Sequence, residues 1–479
     1  MEPYDVAIIG CGVVGAATAY ALGRYDCKTL ILESENDVAL GATKANSAIL
    51  HAGYDPQPGT LMARLNVEGV AMAKEICAAL DVPRRECGSL VVAFAPTELP
   101  HLQTLYTRGL QNGVPGLKLL GGAQARALEP ALSDKVLAAL YAPTTAVTSP
   151  WEFALAMAEM AVVNGAVLHR RACVTALEKT ADQIWLLHTI QGDFCARTVV
   201  NAAGLGAGAV HNMVAPPAFS IRPTRGQYHL LDNGEGNRVQ HVIFQCPTAA
   251  GKGVLVTPTV QGNCLVSSSA EAGTGDTAAA DDLANVAAAA QKSVPELDLR
   301  ATIRSFAGVC AVADREDFVI SFAAQGFLDL AGIQSPGLSA APAIGRYAVE
   351  LLRQTGLELT ESAVFINHRE KIRFKDLSPQ AKSALIARDP AYGRLLCRCE
   401  TVTEGEILAS LHAPIPPLTV DSVKRRTNAG RGSCHGGFCG PKVEELLAKE
   451  LGVAPQEILQ EKAGGNLPYR PTKQPKGEA

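Results

Sequence analysis

The chain has 479 residues, of which 47% are hydrophobic and 5% aromatic. This length predicts two or three domains that share at least one large core. The formal net charge of -4 provides no basic footprint for nucleic acid or anionic lipid over the whole molecule. The composition therefore predicts a large α/β enzyme and excludes disordered and fibrous proteins.

An uncharged run at residues 6–23 has the hydropathy of a membrane span or a signal segment. Glu2 and Asp5, however, stand where a signal peptide carries basic residues, and Gly10, Gly12 and Gly15 interrupt the run. We therefore expect a soluble, cytoplasmic chain without a membrane span.

The amino-terminal end predicts a βαβ unit that binds a dinucleotide. "DVAIIG" predicts a strand, "GVVGAATAYALGRY" a helix and "CKTLILE" a second strand. Gly10, Gly12 and Gly15 let the backbone approach a pyrophosphate at the helix N-terminus, and Glu33 accepts hydrogen bonds from a ribose. Because a carboxylate there repels a 2'-phosphate, FAD and NAD remain as cofactors. The alternative is a glycine-rich turn of another α/β fold.

The rest of the chain predicts an α/β architecture in which a Rossmann-like nucleotide domain is interrupted by a mostly antiparallel, β-rich substrate domain. "GSLVVAF", "GQYHLLD" and "NCLVSSS" alternate as strands do, and "SPWEFALAMAEMAVVNG" predicts a helix. A small helical domain with four clustered cysteines follows. The predicted boundaries are 1–83, 151–215 and 316–360 for the nucleotide domain, 84–150 and 216–315 for the substrate domain, 361–388 for a connector, 389–465 for the cysteine domain and 466–479 for a flexible tail.

Four of the thirteen cysteines are clustered, whereas the other nine are scattered and predicted to be reduced, buried residues. Structural zinc sites favour cysteine pairs that are two to four residues apart. A [2Fe-2S] cluster fits a one-residue gap better, and the glycines of "GSCHGGFCGP" leave backbone amides free to bond sulfur. Zinc and free thiols remain as alternatives. The predicted ligands are Cys397, Cys399, Cys434 and Cys439.

A basic stretch precedes the second cysteine pair. Its cations either offset the charge of four thiolates or form an ordinary solvated face. These residues are Lys424, Arg425, Arg426 and Arg431.

Two sets of motifs resemble known families. "YGRLLCRCETVTEGEI" and "KRRTNAGRGSCHGGFCGPKV" resemble the [2Fe-2S] domain of bacterioferritin-associated ferredoxin. "GATKANSAILHAGYDPQPGTLMARLNVEG", "RPTRGQYHLLD", "GKGVLVTPTVQGN" and "GIQSPGLSAAPAIG" resemble FAD enzymes of the glycine-oxidase and D-amino-acid-oxidase class. Within that class the chain is most similar to the anaerobic glycerol-3-phosphate dehydrogenase large subunit and to L-2-hydroxyglutarate dehydrogenase. The resemblance covers essentially the whole chain.

The resemblance implies an FAD-dependent oxidoreductase and selects FAD over NAD. It places Thr43, Lys44, Asn46 and Ser47 along the ribityl chain and pyrophosphate of FAD. It places Gly337, Leu338 and Ser339, at the start of a later helix, at the pyrimidine edge of the flavin. The small residues from Ala202 to Gly208 also let the backbone approach a ligand or a neighbouring strand closely. The implied cofactor contacts are Gly10, Gly12, Val13, Val14, Gly15, Glu33, Ser34, Thr43, Lys44, Asn46, Ser47, Ala203, Gly204, Gly337, Leu338 and Ser339. Lys44 departs from the glycine common in relatives.

The implied catalytic group is His51 in "ILHAGYD", which the resemblance places at the substrate face as a base or substrate ligand. An anionic substrate also needs a guanidinium. Relatives read "FAGLRA" where this chain has Cys310 in "FAGVCA", and "GPTAE" where it has "SSSAE". Arg304 and Arg315 are therefore the predicted anion ligands, with Arg222 and Arg225 as alternatives.

The cysteine cluster suggests how electrons leave. Alcohol oxidation delivers two electrons together as a hydride, whereas an iron-sulfur cluster carries one at a time. We therefore expect a dehydrogenase for glycerol 3-phosphate or a 2-hydroxy acid that passes electrons to a partner subunit or second flavoprotein. The alternatives are an amine or imino-acid dehydrogenase on the same fold and a zinc-bound docking tail without a redox role.

Overall fold

The computed structural model describes residues 2–247, 253–268, 271–273, 275 and 278–467. The chain divides into two compact units. One consists of Met1–Ser34 and Val38–Arg369, and the other of Glu35–Asp37 and Glu370–Ala479.

The strands of the described residues group into two large and two small sheets. In chain order they are β1 Tyr4–Ile9, β2 Thr29–Glu33, β3 Ile49–Leu50, β4 Arg84–Glu86, β5 Ser89–Ala93, β6 Lys118–Gly121, β7 Ala138–Ala142, β8 Ala146–Thr148, β9 Val167–Arg170, β10 Val174–Lys179, β11 Trp185–Thr189, β12 Gly192–Asn201, β13 Ile221–Leu231, β14 Val242–Gln245, β15 Leu255–Pro258, β16 Cys264–Ser267, β17 Glu271–Ala272, β18 Thr302–Ala313, β19 Val319–Ala324, β20 Phe327–Ala331, β21 Leu395–Cys397 and β22 Val402–Thr403.

The helices of the described residues cover the sheets of the first unit and build most of the second. They are α1 Val13–Leu22, α2 Leu61–Ala79, α3 Leu99–Gln111, α4 Gly122–Leu128, α5 Pro150–Val163, α6 Ala207–His211, α7 Ala280–Ser293, α8 Gly337–Gln354, α9 Pro379–Arg388, α10 Glu404–Leu411, α11 Val420–Thr427 and α12 Gly440–Leu451. Within the described ranges, none combines the length and apolarity that crossing a bilayer requires.

The first large sheet has a parallel centre. Its strands run in the order β10-β11-β12-β1-β2-β9, and β20 adds to β12 in parallel. Residues 6–9 of β1 and 30–32 of β2 are apolar and buried, as expected when helices cover both faces of a parallel sheet. Because β1, β2 and β12 run in the same direction, Gly10, Glu33 and Asn201 lie at one edge. That edge is where α/β sheets bind ligands.

The second large sheet is mostly antiparallel, in the order β17-β13-β16-β15-β14-β5-β7-β6. β18 pairs with the full length of β13, from Ile221 opposite Ala313 to Leu231 opposite Thr302. The one parallel pair recorded in this sheet joins β5 and β14. Val286 and Ala290 of α7 pack with the buried side chains of this sheet.

The second unit is small and helical. Its core joins Cys397 and Cys439 to Ile407, Val423 and Leu447 from three helices. Thr403 and Glu406 form a capping box at the start of α10, and Thr419 caps α11, so each helix begins at a residue that satisfies its free amides.

The structure has the predicted α/β class, with one sheet formed by strands from residues 4–33, 167–201 and 319–331 and the other by strands from 89–142 and 221–313. The exact domain boundaries stay a prediction. Of the predicted tail, 468–479 lie outside the described residues, as do 251, 252, 269 and 270 within the quoted motifs.

Candidate functional site

The glycine-rich turn between β1 and α1 is shaped for close approach. Gly10 has φ +97°, and a Cβ there would lie 2.6 Å from the carbonyl oxygen of Ala202. A Cβ on Gly15 would lie 2.0 Å from the carbonyl oxygen of Gly10. No other residue type fits either position, so the turn presents bare backbone at the N-terminus of α1. Val13 and Val14 form the first turn of that helix.

Two side chains brace the turn. Glu33, which is 7% exposed, accepts a hydrogen bond from the amide of Cys11 at 2.7 Å. The hydroxyl of Ser34 donates to the other carboxylate oxygen of Glu33 at 3.2 Å. The hydroxyl of Thr43 accepts the amide hydrogen of Val13 at 3.0 Å. Glu33 and Thr43 therefore lie at the same turn, as a dinucleotide site requires.

The segment that carries Thr43 is a tight loop. The amide group of Asn46 donates to the carbonyls of Ala42 and Thr43, at 3.1 and 2.9 Å, and its oxygen accepts the amide of Ala48 at 2.8 Å. Asn46 thus holds the loop in shape, a role that the sequence did not indicate. Lys44 and Ser47 lie in the same loop, partly exposed.

A buried polar network holds the turn after β12, where Ala203 and Gly204 lie. Nδ1 of His211 contacts the carboxylate of Asp329 at 2.6 Å, and Asn201 donates to the same carboxylate at 2.7 Å. The side-chain oxygen of Asn201 accepts the amide of Ala203 at 3.3 Å. These three residues are at most 3% exposed. Sequence reasoning missed the network, although an aspartate inside the apolar strand "FLDLA" is the signal of a buried partner.

We expect Asp329→Ala to destabilise the protein by about 3–5 kcal/mol, because it leaves His211 and Asn201 buried without their shared acceptor. Asp329→Asn keeps hydrogen-bonding groups of the same shape and should cost less than half as much. Denaturant unfolding and FAD dissociation constants would measure both variants. Equal stability of the alanine variant and the wild type would contradict the assigned role.

His51 follows β3, and three of its contacts fix the backbone and the ring. Its backbone amide donates to Oγ of Ser339 at 2.7 Å, near the start of α8. The amide of Gly53 donates to Nδ1 of the ring at 3.2 Å. The ring packs on Tyr54, with centroids 4.4 Å apart. Because Nδ1 accepts, the neutral ring carries its proton on Nε2.

The helix start predicted at the flavin edge is therefore joined to His51. Gly337 begins α8, and Leu338 and Ser339 follow in its first turn. A Cβ on Gly69 of α2 would lie 2.1 Å from the carbonyl oxygen of Ser339, so α2 and α8 cross in close contact there. This crossing makes the support of His51 rigid.

One face of β18 lies against the cofactor loop. A Cβ on Gly308 would lie 1.9 Å from the carbonyl oxygen of Ala45. Cys310, two residues on, points to the same side, as does Phe306, which stacks on Tyr228 at 4.7 Å between ring centroids. The predicted site therefore has an aromatic and thiol wall where relatives are expected to carry arginine.

The predicted anion ligands lie elsewhere on this surface. Arg304 is exposed on β18, about 13 Å along the strand from Gly308 at about 3.3 Å per residue. Arg315 lies beyond the end of β18 and donates to the carbonyl of Ala218 at 2.6 Å. Arg225 pairs with Asp282 at 3.2 Å, and Arg222 is exposed. A substrate role for Arg304 or Arg315 stays a prediction.

In the second unit the four clustered cysteines form two close pairs. Sγ of Cys399 and Sγ of Cys434 are 3.4 Å apart. A hydrogen bond from Cys439 lowers the pKa of Cys397, against the effect of burial, which raises it. Cys397 and Cys439 are each 1% exposed, whereas Cys399 is exposed. One pair is therefore in the core and the other at the surface.

Backbone amides surround these sulfurs. The amides of Gly430 and Glu400 hydrogen-bond to Cys397, and those of Gly436 and Phe438 to Cys434. Gly430 and Gly436 both have φ +83°, a conformation that glycine adopts without strain. Amide hydrogen bonds to sulfur are the means by which proteins tune iron-sulfur clusters.

The pairing fits a binuclear cluster better than zinc. A [2Fe-2S] cluster takes two cysteines on each iron, whereas structural zinc gathers four ligands around one ion. Cys397, Cys399, Cys434 and Cys439 would together hold the cluster.

The basic residues upstream are largely paired with carboxylates. Arg426 contacts Asp37 at 2.8 Å, and Arg425 contacts Glu461 at 2.7 Å. Lys424 pairs with Asp421 at 2.6 Å. Arg431 interacts with the carboxylate of Glu400, which is next to Cys399 in the sequence. Within this set, Arg431 fits the predicted charge compensation best.

Comparison with known proteins identifies both units. The family described as FAD dependent oxidoreductase matches residues 5–351, and the family described as BFD-like [2Fe-2S] binding domain matches residues 395–449. A glycerol 3-phosphate dehydrogenase from Caloramator mitchellensis is 44% identical over 98% of this chain and 99% of its own length. The human mitochondrial L-2-hydroxyglutarate dehydrogenase is 31% identical over 54% of this chain and 59% of its own length.

A solved structure agrees with these matches. The dithionite-reduced L-alpha-glycerophosphate oxidase of Mycoplasma pneumoniae, with FAD bound, superposes with a TM-score of 0.73 at 30% identity, covering 78% of this chain and 99% of that one. The predicted fold class, oxidoreductase class and cofactors are thereby confirmed. The chain belongs to the FAD dependent oxidoreductase family and carries a BFD-like [2Fe-2S] domain, so that FAD and a [2Fe-2S] cluster are its cofactors.

Proposed function

We propose that this protein is a glycerol-3-phosphate dehydrogenase that oxidises the secondary alcohol of glycerol 3-phosphate to a ketone. The observation that carries the proposal is the 44% identity, over nearly the full length of both chains, to the dehydrogenase of Caloramator mitchellensis. That alignment spans the flavin unit and the cysteine domain together. The structure supports the proposal through the position of His51 beside Ser339.

The residues of the first unit have separable roles in this reaction. The turn at Gly10, with Glu33 and Thr43, would hold the dinucleotide. Bound FAD supplies the acceptor for the hydride that leaves the substrate carbon. His51 takes the hydroxyl proton, so that the C=O bond forms as the C–H bond breaks. To accept that proton on Nε2, the ring must first move its own proton to Nδ1, which gives up the 3.2 Å bond from Gly53.

The substrate phosphate needs a cation, and at this point the chain departs from the family that it resembles. Cys310 lies on the β18 face that contacts the cofactor loop, where the resemblance implies arginine. A guanidinium gives a bidentate contact to phosphate that a thiol does not. The phosphate would therefore be held by a different cation.

Electrons would leave through the second unit. The cluster accepts electrons one at a time, which suits transfer to a partner subunit or second flavoprotein. Exposed Cys399 and half-buried Cys434 would give the cluster a surface side, and nearby Phe438 is 79% exposed. An exposed aromatic residue next to a redox centre supports a docking role for this surface.

Anaerobic bleaching of the bound flavin tests the substrate. We expect glycerol 3-phosphate to reduce the flavin fastest among polyol phosphates, 2-hydroxy acids and amines offered at equal concentration. L-2-hydroxyglutarate is the second candidate, because the 31% identity to its human dehydrogenase favours a 2-hydroxy acid. Bleaching by glycine or proline alone would overturn the proposal in favour of amine oxidation.

A further inference from the structure

The backbone of His51 is bound to side chains from two different helices. Nδ2 of Asn66, on α2, donates to the carbonyl oxygen of His51 at 2.6 Å. Oγ of Ser339, on α8, accepts the amide hydrogen of His51 at 2.7 Å. The position of this backbone therefore depends on two side chains that are distant from it in sequence.

Both anchors are buried where α2 and α8 cross. Asn66 is fully buried, and Ser339 is 1% exposed. A Cβ on Gly69 would lie 2.1 Å from the carbonyl oxygen of Ser339, and Gly69 lies three residues after Asn66, on the same side of α2. Close packing at this crossing allows little movement of either anchor.

The turn after His51 packs on the same part of α2. Gly53 has φ +112°, and a Cβ there would lie 2.5 Å from Cγ2 of Val67 and 3.2 Å from Nδ2 of Asn66. Only glycine fits such a position. The amide of Gly53 donates to Nδ1 of the His51 ring at 3.2 Å. Contact with α2 therefore also sets the turn that orients the ring.

Asn66 has a feature that stability alone does not explain. Its Oδ1 is buried and, within the described ranges, receives no hydrogen bond. A buried acceptor without a donor destabilises a protein, whereas leucine has a similar size and no polar atom to satisfy. Departures from stable packing are expected at functional sites. The bond from Nδ2 to His51 gives a functional reason for asparagine at this position.

We propose that Asn66 is a positioning residue for substrate oxidation, which holds the backbone of His51 so that the ring meets the substrate in the reactive geometry. This inference rests on the proposed role of His51 and extends it to the residue that supports it. A misplacement of about 1 Å can lower a rate about a hundredfold. Because Asn66 is fully buried, its effect passes through His51 and not through contact with the substrate.

A double-mutant cycle tests whether Asn66 acts through His51. Stopped-flow flavin reduction would be measured for Asn66→Leu, His51→Ala and the double variant, with whichever compound of the substrate panel bleaches the flavin fastest. We expect Asn66→Leu alone to lower the limiting rate about 10–100-fold. In the His51→Ala background it should have no further effect, because no ring remains to be positioned.

Asn263→Leu is the matched control. Asn263 is 4% exposed, and its Nδ2 donates to the carbonyl of Leu231 at 3.0 Å, in the second large sheet. This variant should lose stability but reduce the flavin at the rate of its parent in both backgrounds. Denaturant midpoints and FAD dissociation constants of all variants would separate a folding defect from a positioning defect.

Two results would overturn the proposal. One is an Asn66→Leu enzyme that reduces the flavin as fast as the wild type, and the other is a double variant in which the two rate losses multiply. Should Asn66→Leu fail to fold, Asn66→Ala takes its place in the same cycle. A fastest substrate other than glycerol 3-phosphate would overturn the proposed function without affecting this test.

Discussion

Replacing Cys434 by serine is expected to separate substrate oxidation from electron exit. The variant should lose the [2Fe-2S] cluster, because Cys434 and Cys399 form one of the two close thiol pairs. Loss of even an outer-shell partner lowers metal affinity about 10–100-fold, so loss of a ligand should lower transfer to a one-electron acceptor by at least about a hundredfold. Reduction of the flavin by glycerol 3-phosphate should continue at nearly the wild-type rate.

The matched control is Cys173→Ser, which changes an exposed thiol of the first unit. It should keep iron, the paramagnetic signal after dithionite and acceptor reduction. Iron analysis and stopped-flow flavin reduction on both variants separate the outcomes. If Cys434→Ser retained full acceptor reduction without iron, the cluster would not be the exit route. One bound zinc and no iron in the wild type would favour the docking-tail alternative.

The sequence predicts the cofactors and the glycine-rich turn because the local rules behind both motifs are strict. Gly10 must be glycine at φ +97° beneath the carbonyl of Ala202, and such a requirement is written in the sequence itself. The cysteine spacing is informative for the same reason, since few residue types bind iron. The parallel pairing of β1 with β2 also follows from the βαβ pattern.

Long-range polar contacts were harder to predict. His211 and Asp329 are 118 residues apart in sequence, and no local pattern joins them before the parallel pairing of β12 and β20 is known. The same limit applies to Glu129 and His241. Periodicity predicts which face of a strand is buried. It does not predict which distant side chain hydrogen-bonds to a polar residue on that face.

The arginine predictions show a different limit. Arg304 and Arg315 are predicted because another guanidinium must replace the missing one; Arg304 is exposed on its strand, and Arg315 donates to the carbonyl of Ala218. The residue type alone does not determine which way its side chain points. The position of Cys310 on the β18 face could be assigned only after Gly308 was found against Ala45.

His51→Ala should lower the rate of flavin reduction by glycerol 3-phosphate about 10²–10⁴-fold, the usual contribution of a positioned base. His188→Ala is the control, because His188 lies on β11 and bonds Asp193 at 2.9 Å, outside the site. An unimpaired His51→Ala enzyme would favour the amine-oxidising alternative, since a neutral amine needs no strong base.

His51→Gln distinguishes the two roles that the structure allows for the ring. A glutamine amide can donate a hydrogen bond from roughly the position of Nε2 but cannot take a proton near neutral pH. If His51 is the base, this variant should be as impaired as His51→Ala, and the acidic limb of the rate profile against pH should disappear in both. If the proton stays on Nε2, as the bond from Gly53 to Nδ1 favours in the resting structure, the glutamine variant should keep most of its activity. That second result would make His51 a substrate ligand and would require another group to accept the hydroxyl proton.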